Sequence, residues 1–225
     1  MFVVKDLSSE FFDSINEFVE NQRKNGMPAS TTLHPMDERG HIEKYGDWNP
    51  PNAKRFINPI PPKITDEISR DCKICWFPTN DDDEEVSKFY DHFKNILNWI
   101  NGDPTGWNFD IDILEDIQYT EYEVGQYYDW HIDTNEDDLA KVRKISFVLL
   151  LGDEFEGGEL QLETRIPKSK PVSEKYGDAP RYETVPLKNP GDIVFFHSDI
   201  PHRVTPVTSG TRRTLVGWVA GPHFK

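Results

Sequence analysis

The sequence predicts a mostly β protein with supporting α-helices, and three observations lead to that fold class. From Trp107 onward, short segments rich in β-branched and aromatic residues are separated by turn signals such as Gly157-Gly158 and Asn189-Pro190-Gly191. No helical pattern of about 10–15 residues alternates with these segments, so parallel βαβ units are not expected. The length of 225 residues suits one domain with a sizeable core. Many short strands at this spacing indicate a sandwich, a jelly roll or a barrel.

The first hundred residues have a different character. Residues 7–22 carry apolar side chains at helical spacing, and two serines can cap the start of this helix. Residues 26–63 contain seven prolines, which favour ordered coil over a continuous helix. A strand is predicted at 72–77. A second helix is predicted from the acidic run 81–85 to about residue 100, since carboxylates in a first turn suit the helix dipole.

The candidate strands of the second half follow in order. They are 109–120, 126–132, 144–151, 159–164, 181–187, 192–196, 203–207 and 212–219. Residues 165–181, rich in Lys, Pro and Ser, are predicted to form an exposed loop between two of these strands.

Composition excludes several classes of protein. The net charge of −15 repels phosphate backbones, so no nucleic-acid partner is expected. The longest apolar run falls far short of the ~20 residues that cross a membrane, and the N-terminus lacks a signal-peptide pattern. We therefore expect a soluble cytoplasmic protein with no membrane partner. Cys72 and Cys75 are the only cysteines, and without a second metal-binding pair we interpret them as structural.

Histidine and aspartate pairs suggest a metal site. A His-x-Asp on a strand places both side chains on one face, which suits a 2-His-1-carboxylate site for non-haem Fe(II). The motif occurs at His131/Asp133 and at His197/Asp199, so by itself it does not identify a site. His197 is followed by a turn and by no cation ten positions later, so we predict a loop residue near the mouth of the site.

The surroundings of His131 carry a longer pattern. The segment reads Tyr122-Glu-Val-Gly125-Gln-Tyr-Tyr128-Asp-Trp-His131-Ile-Asp133. A second segment, His202-Arg-Val-Thr-Pro-Val, is followed by Arg212 ten positions after the histidine. In order and spacing these motifs resemble the Fe(II)- and 2-oxoglutarate-dependent dioxygenases, specifically the prolyl 4-hydroxylase-like family. The resemblance covers about residues 107–221.

The resemblance implies a double-stranded β-helix, the jelly-roll core of that family. Residues 107–221 would form this core and 1–106 a supporting region, within a single domain spanning 1–225. The implied metal ligands are His131, Asp133 and His202. Arg212 would hold the far carboxylate of 2-oxoglutarate, for which a planar guanidinium is well suited.

The resemblance also implies roles for neighbouring residues. Tyr122 would hydrogen-bond 2-oxoglutarate, and Ser146 lies where relatives often have a hydroxyl near the cosubstrate. Tyr128 and Trp218 would line the substrate side, with Trp130 beside them at the mouth. Strand alternation agrees for Trp218, since it shares a face with Arg212.

The implied activity is hydroxylation of an unactivated C–H bond, with O₂ as oxidant and ascorbate keeping the iron ferrous. 2-Oxoglutarate would be converted to succinate and CO₂. The implied substrate is a prolyl residue of a protein or peptide. Other amino-acid residues or free amino acids remain alternatives, as does, from another class, a catalytically inactive jelly-roll binding module. The sequence does not indicate an oligomeric state.

Overall fold

The computed structural model describes most of the chain. The described residues are 2–4, 7–24, 30–35, 68–79, 82–102, 106–134, 142–163 and 182–224. Two helices are present among them, α1 (Ser9–Lys24) and α2 (Glu84–Gly102), close to the predicted bounds. The Ser8 hydroxyl accepts a hydrogen bond from the Phe11 N–H (3.3 Å) and caps α1. Asp83, within the acidic run, caps α2 by accepting hydrogen bonds from the N–H groups of Glu85 and Val86.

Fourteen strands are described, most of them short. They are β1 (Phe2–Val4), β2 (Ser30–Pro35), β3 (Ile68–Phe77), β4 (Ile113–Leu114), β5 (Ile117–Tyr122), β6 (Tyr127–His131), β7 (Val142–Leu150), β8 (Phe155–Gly157), β9 (Leu160–Glu163), β10 (Tyr182–Thr184), β11 (Ile193–His197), β12 (His202–Val204), β13 (Val207–Gly210) and β14 (Arg212–Gly221).

Twelve strands form one sheet that curls on itself. Their order is β1-β11-β7-β14-β5-β3-β6-β12-β9-β10, with β2 added to β3 and β4 to β14, while β8 and β13 form a separate pair. Every described pairing is antiparallel. The curl brings distant strands together, since the rings of Phe196 on β11 and His202 on β12 lie 4.8 Å apart. The predicted mostly β, jelly-roll fold is confirmed.

The sheet separates two hydrophobic cores. On its outer face, Phe147 and Leu149 of β7 pack with the helices, and the Phe147 ring stacks on Phe93 of α2 at 5.0 Å. On its inner face, Val148 of the same strand packs against Val194 and other side chains inside the curl. Alternation along β7 therefore supports the helices on one side and leaves the other side for the interior.

Several stretches differ from the predicted elements, among them the following. Residues 30–35, predicted as coil, form β2. Antiparallel pairing with β3 provides hydrogen bonds for the backbone groups of this Thr-rich segment, and the register shifts only between His34 and Pro35. The remainder of 26–63 and the predicted loop 165–181 lie outside the described residues. The predicted strand 109–120 is divided into β4 and β5, and residues 155–157 form a strand, β8, that the sequence did not predict.

The two cysteines are buried on opposite faces of β3, as alternation predicts, and form no disulfide bond. Cys72 packs in the inner core and Cys75 in the outer core. Burial raises the pKa of Cys75 to about 11. In the described parts of the chain, neither helix is apolar enough over its length to cross a membrane.

Candidate active site

His131, Asp133 and His202 meet inside the curled sheet. His131 ends β6 and His202 begins β12, and these two residues are direct partners in the antiparallel pairing. Asp133 Oδ1 lies 3.7 Å from His131 Nε2, and Asp133 Oδ2 lies 3.4 Å from His202 Nε2. The ligand atoms of all three residues lie within 4.8 Å of one another. We call these residues the His-Asp-His cluster.

Backbone carbonyls orient both imidazoles of the cluster. His131 Nδ1 donates to the Asp129 carbonyl (2.7 Å), and His202 Nδ1 donates to the Ile200 carbonyl (2.9 Å). Each Nε2 therefore carries the free lone pair and faces the carboxylate. A donated second N–H of this kind is typical of histidines that bind metals.

The charges of the cluster suit a divalent cation. Burial and, to a smaller extent, the neighbouring His202 lower the pKa of His131 to about 3, so the imidazole is neutral. Burial alone would raise the pKa of Asp133, but His202, His131, Arg143 and the Ser146 hydroxyl together hold it below its usual value. Two imidazoles and one carboxylate are the donor set of the 2-His-1-carboxylate site. The cluster therefore fits Fe(II).

Two serine hydroxyls lie behind the carboxylate. Ser146 Oγ donates to Asp133 Oδ2 (2.7 Å) and lies 2.9 Å from Ser198 Oγ. The predicted contact between Ser146 and the cosubstrate stays a prediction, since the partners of its hydroxyl in the structure are Asp133 and Ser198.

Arg212 lies on the same interior face, at the start of β14. Its side chain is buried (2% exposed), and no carboxylate among the described residues lies within ion-pair distance of it. Its closest polar contact is Thr214 Oγ1 at 3.5 Å. Burial lowers the pKa of the Arg212 guanidinium, as expected for a buried positive charge that forms no ion pair with the described residues. The interior of the sheet thus contains a buried positive charge with no negatively charged partner among the described residues.

A glycine makes room for this arginine. Gly158, at φ +58°, approaches Arg212 so closely that a Cβ there would lie 2.7 Å from Arg212 Cδ. The Gly157-Gly158 turn leads from β8 into the next strand and so places backbone, with no side chain, against the guanidinium stem. Glycine at position 158 is required by both conformation and space.

The two predicted tyrosines lie beside these groups. Tyr122 is the direct partner of Arg212 in the β5–β14 pairing, and its buried ring lies 5.7 Å from the guanidinium carbon. Burial raises the pKa of Tyr122 well above its usual value, so its hydroxyl keeps its proton. The Tyr128 ring stacks on His131 with 3.5 Å between centroids, and the Arg70 guanidinium lies over Tyr128 at 4.7 Å.

Trp218 lies on the inner face of β14. It is paired across the sheet with Ser146. The Arg143 guanidinium lies over its ring at 4.3 Å, and the Trp76 ring lies 5.7 Å away. Glu115 fixes Arg143 through three hydrogen bonds of 2.6–3.0 Å. The indole N–H groups of Trp218 and Trp76 are buried and have no hydrogen-bond acceptor among the described residues.

The structure separates two predicted residues from the site. His197 ends β11 facing the outer core, where its ring contacts Trp107 and Phe109 edge-on at about 5 Å. The prediction of a residue at the mouth was wrong, because Phe196 takes the inner-face position on that strand. Trp130 also points outward, under Arg203, whose guanidinium carbon lies 4.9 Å from its ring centroid. It does not line the site beside Tyr128.

Three residues of the site were not predicted. Arg70 and Trp76 lie on the inner face of β3, in alternation with Cys72 and Ile74. Alternation within the predicted strand 72–77 already places Trp76 on this face, and extending the strand by two residues would have found Arg70. Ser198 follows β11 in a turn, and no local pattern relates it to Asp133.

Comparison with known proteins agrees with this geometry. Residues 117–220 match the profile of the 2OG-Fe(II) oxygenase superfamily. A PKHD-type hydroxylase of Synechococcus sp. (strain CC9605) is 35% identical over 97 residues, covering 42% of this chain and 37% of the relative. The chain thus matches only about two-fifths of the length of such curated relatives.

Solved structures share the fold at low sequence identity. A Pseudomonas putida prolyl-4-hydroxylase superimposes with a TM-score of 0.60 at 16% identity, over 99% of this chain and 92% of that one. A Trichoplax adhaerens prolyl hydroxylase, solved with a hypoxia inducible factor peptide fragment, gives 0.60 at 17% identity, over 97% of this chain and 82% of that one. The segment 117–220, which matches the family profile, contains the complete His-Asp-His cluster and Arg212. Residues 117–220 of this chain are thus similar to the 2OG-Fe(II) oxygenase superfamily.

Proposed function

We propose that the protein is an Fe(II)- and 2-oxoglutarate-dependent dioxygenase that hydroxylates a prolyl residue of a protein or peptide. The observation that carries this proposal is the pairing of two features on one interior face. The His-Asp-His cluster supplies three metal ligands, and Arg212 supplies a buried cation whose carboxylate partner is missing among the described residues. A dicarboxylate with a metal-chelating end satisfies both.

Each residue has a defined task in this proposal. His131, Asp133 and His202 bind the iron through Nε2, a carboxylate oxygen and Nε2. Arg212 binds the far carboxylate of 2-oxoglutarate, and Tyr122, opposite it, offers its protonated hydroxyl as a further donor. When bound, iron, 2-oxoglutarate and O₂ supply the oxidising chemistry, with succinate and CO₂ as by-products. The side chains of the cluster are only 6–10% exposed.

The aromatic groups support a prolyl substrate. Tyr128 stacks on His131 of the cluster and Trp218 is paired with Ser146 behind it, so the surroundings of the cluster are aromatic, and a proline ring is apolar. The prolyl hydroxylases that share the fold support the same class of substrate.

A spectroscopic titration tests the cofactor chemistry without a substrate. Fe(II) and then 2-oxoglutarate are added to the protein under anaerobic conditions, and the weak visible charge-transfer band of the chelate is recorded. We expect the band in the wild type, its loss in His202→Ala and its retention in His197→Ala. The second variant is the matched control, since His197 faces the outer core. A wild-type protein that binds no iron would overturn the proposal and favour an inactive binding module.

A turnover assay then tests the substrate. Proline-containing peptides are incubated aerobically with Fe(II), 2-oxoglutarate and ascorbate, and both succinate and a 16-dalton mass increase on the peptide are measured. We expect succinate in proportion to hydroxylated proline. If succinate forms instead with a lysyl or asparaginyl peptide or with a free amino acid, the oxygenase chemistry is retained and the proposal of a prolyl substrate is wrong. Omitting ascorbate tests whether the reductant sustains turnover.

A further inference from the structure

We propose that Ser146 and Ser198 form a hydroxyl chain that orients Asp133 for metal binding. Both are therefore positioning residues for the iron site. The inference rests on the proposed function, because it concerns the metal ligand Asp133. It differs from the role that the resemblance implies for Ser146, which is a contact with the cosubstrate.

The hydrogen bonds run in one direction. Ser146 Oγ lies 2.7 Å from Asp133 Oδ2, and an ionised carboxylate only accepts, so the single Ser146 proton is donated to Asp133. The Ser198 hydroxyl, 2.9 Å from Ser146 Oγ, must then donate to Ser146. Both serines are fully buried, so water does not compete for these bonds. A donor that itself accepts a hydrogen bond is polarised and donates more strongly.

The backbone of the same turn holds Asp133 from a second side. β6 ends at His131, so Asp133 lies beyond the regular pairing of that strand. Its N–H donates to the Ser198 carbonyl (2.8 Å), and the Ser198 N–H donates to the Lys144 carbonyl (3.2 Å). Ser198 thus anchors Asp133 through its main chain directly and through its side chain by way of Ser146.

This arrangement limits how the carboxylate can rotate. Because Ser146 fixes Oδ2, the carboxylate keeps one orientation. In that orientation Oδ1 lies 3.7 Å from His131 Nε2, and Oδ2 lies 3.4 Å from His202 Nε2. The ligand atoms of the cluster already lie within 4.8 Å of one another, so only small movements would bring them to a shared ion. Removing such an outer hydrogen bond typically costs about 10- to 100-fold in metal affinity.

The test measures metal affinity in the absence of 2-oxoglutarate. Co(II), which accepts the same imidazole and carboxylate ligands and absorbs in the visible range, is titrated into the wild type, Ser146→Ala, Ser146→Thr and Ser198→Ala. We expect about 10- to 100-fold weaker binding in Ser146→Ala and a smaller loss in Ser198→Ala. Ser146→Thr keeps the hydroxyl and is expected to bind Co(II) more tightly than Ser146→Ala.

Thr120→Val is the matched control. Thr120 is also fully buried on the inner face, but its hydroxyl accepts a hydrogen bond from Gln118 Nε2 (2.7 Å) and does not touch Asp133. It is expected to lower the thermal unfolding temperature without weakening Co(II) binding. A second titration with 2-oxoglutarate on the metal-loaded variants separates a direct cosubstrate contact from the proposed role.

The outcomes distinguish the inference from the proposed function. Wild-type affinity for Co(II) in both Ser146→Ala and Ser198→Ala would overturn the hydroxyl chain while leaving the oxygenase proposal intact. If the wild type binds Co(II) with no higher affinity than His202→Ala does, the proposed function itself is overturned. If Ser146→Ala fails to fold, Ser198→Ala decides the question, because it leaves the bond from Ser146 to Asp133 in place.

Discussion

Replacing Gly158 by alanine is expected to weaken 2-oxoglutarate binding through Arg212. The new Cβ would lie 2.7 Å from Arg212 Cδ and 3.0 Å from Val207 Cγ2. To reach an ordinary contact of 3.4 Å, the Arg212 stem must move by about 0.7 Å, because Val207 blocks relaxation of the alanine itself. The guanidinium is thereby displaced from the position in which it meets the far carboxylate.

The size of the effect follows from the hydrogen bonds at risk. A charge-assisted hydrogen bond contributes about 1.5–3 kcal/mol, so losing one of the two bonds of a bidentate pair weakens binding by about 10- to 150-fold. Alanine at φ +58° also costs about 1–2 kcal/mol of folding stability, independently of Arg212. Arg212→Ala sets the upper limit of the binding loss.

Gly125→Ala isolates the backbone strain. Gly125 has φ +87°, but a Cβ there would meet no atom within 4 Å. It should therefore lose stability and keep its affinity for 2-oxoglutarate. Affinity is measured by calorimetric titration of the Mn(II)-loaded protein, and stability by urea unfolding. Equal 2-oxoglutarate affinities in Gly158→Ala and Gly125→Ala would refute the reasoning, since only the first variant collides with Arg212.

Two further predictions concern the fold. Tyr90→Phe should lower the free energy of unfolding by about 1–3 kcal/mol, because the hydroxyl donates to the Phe77 carbonyl and accepts from the Ile117 N–H (2.9 Å). Urea unfolding measures this, and a change below about 0.5 kcal/mol would contradict the assigned role of the bridge. Cys72 and Cys75 should resist thiol reagents at pH 8, because both are buried and, with its pKa raised to about 11, the Cys75 thiol is only about 0.1% thiolate. Labelling in the native state faster than unfolding would show that these thiols are accessible.

Alternation along single strands could be predicted from the sequence. Arg212 and Trp218 lie on the inner face of β14, while Arg213 lies on the other face, with its Nη1 3.8 Å from Glu20 Oε1. The motif spacing likewise predicted which histidine would meet Asp133. Both predictions depend on residues that are close in sequence or fixed in register by one strand.

Contacts that depend on how the sheet curls could not be predicted in this way. Ser146 and Ser198 are 52 positions apart, and their hydroxyls meet only because β7 and β11 are paired and the turn after β11 folds towards Asp133. Nothing in the local sequence around Ser198 indicates a buried hydroxyl. The proposed metal ligands thus carry a sequence signature, whereas the hydroxyls beside Asp133 depend on tertiary structure.

The wrong prediction for Trp130 has a specific cause in β6. Strict alternation would place Tyr128 and Trp130 on one face and His131 on the other. In the structure His202 pairs with His131 and Val204 pairs with Tyr128, so three steps along β6 match two steps along β12. This bulge turns Tyr128 onto the face of His131 and leaves Trp130 outside. Bulges commonly re-aim side chains next to active sites, and here one brings an aromatic ring against a metal ligand.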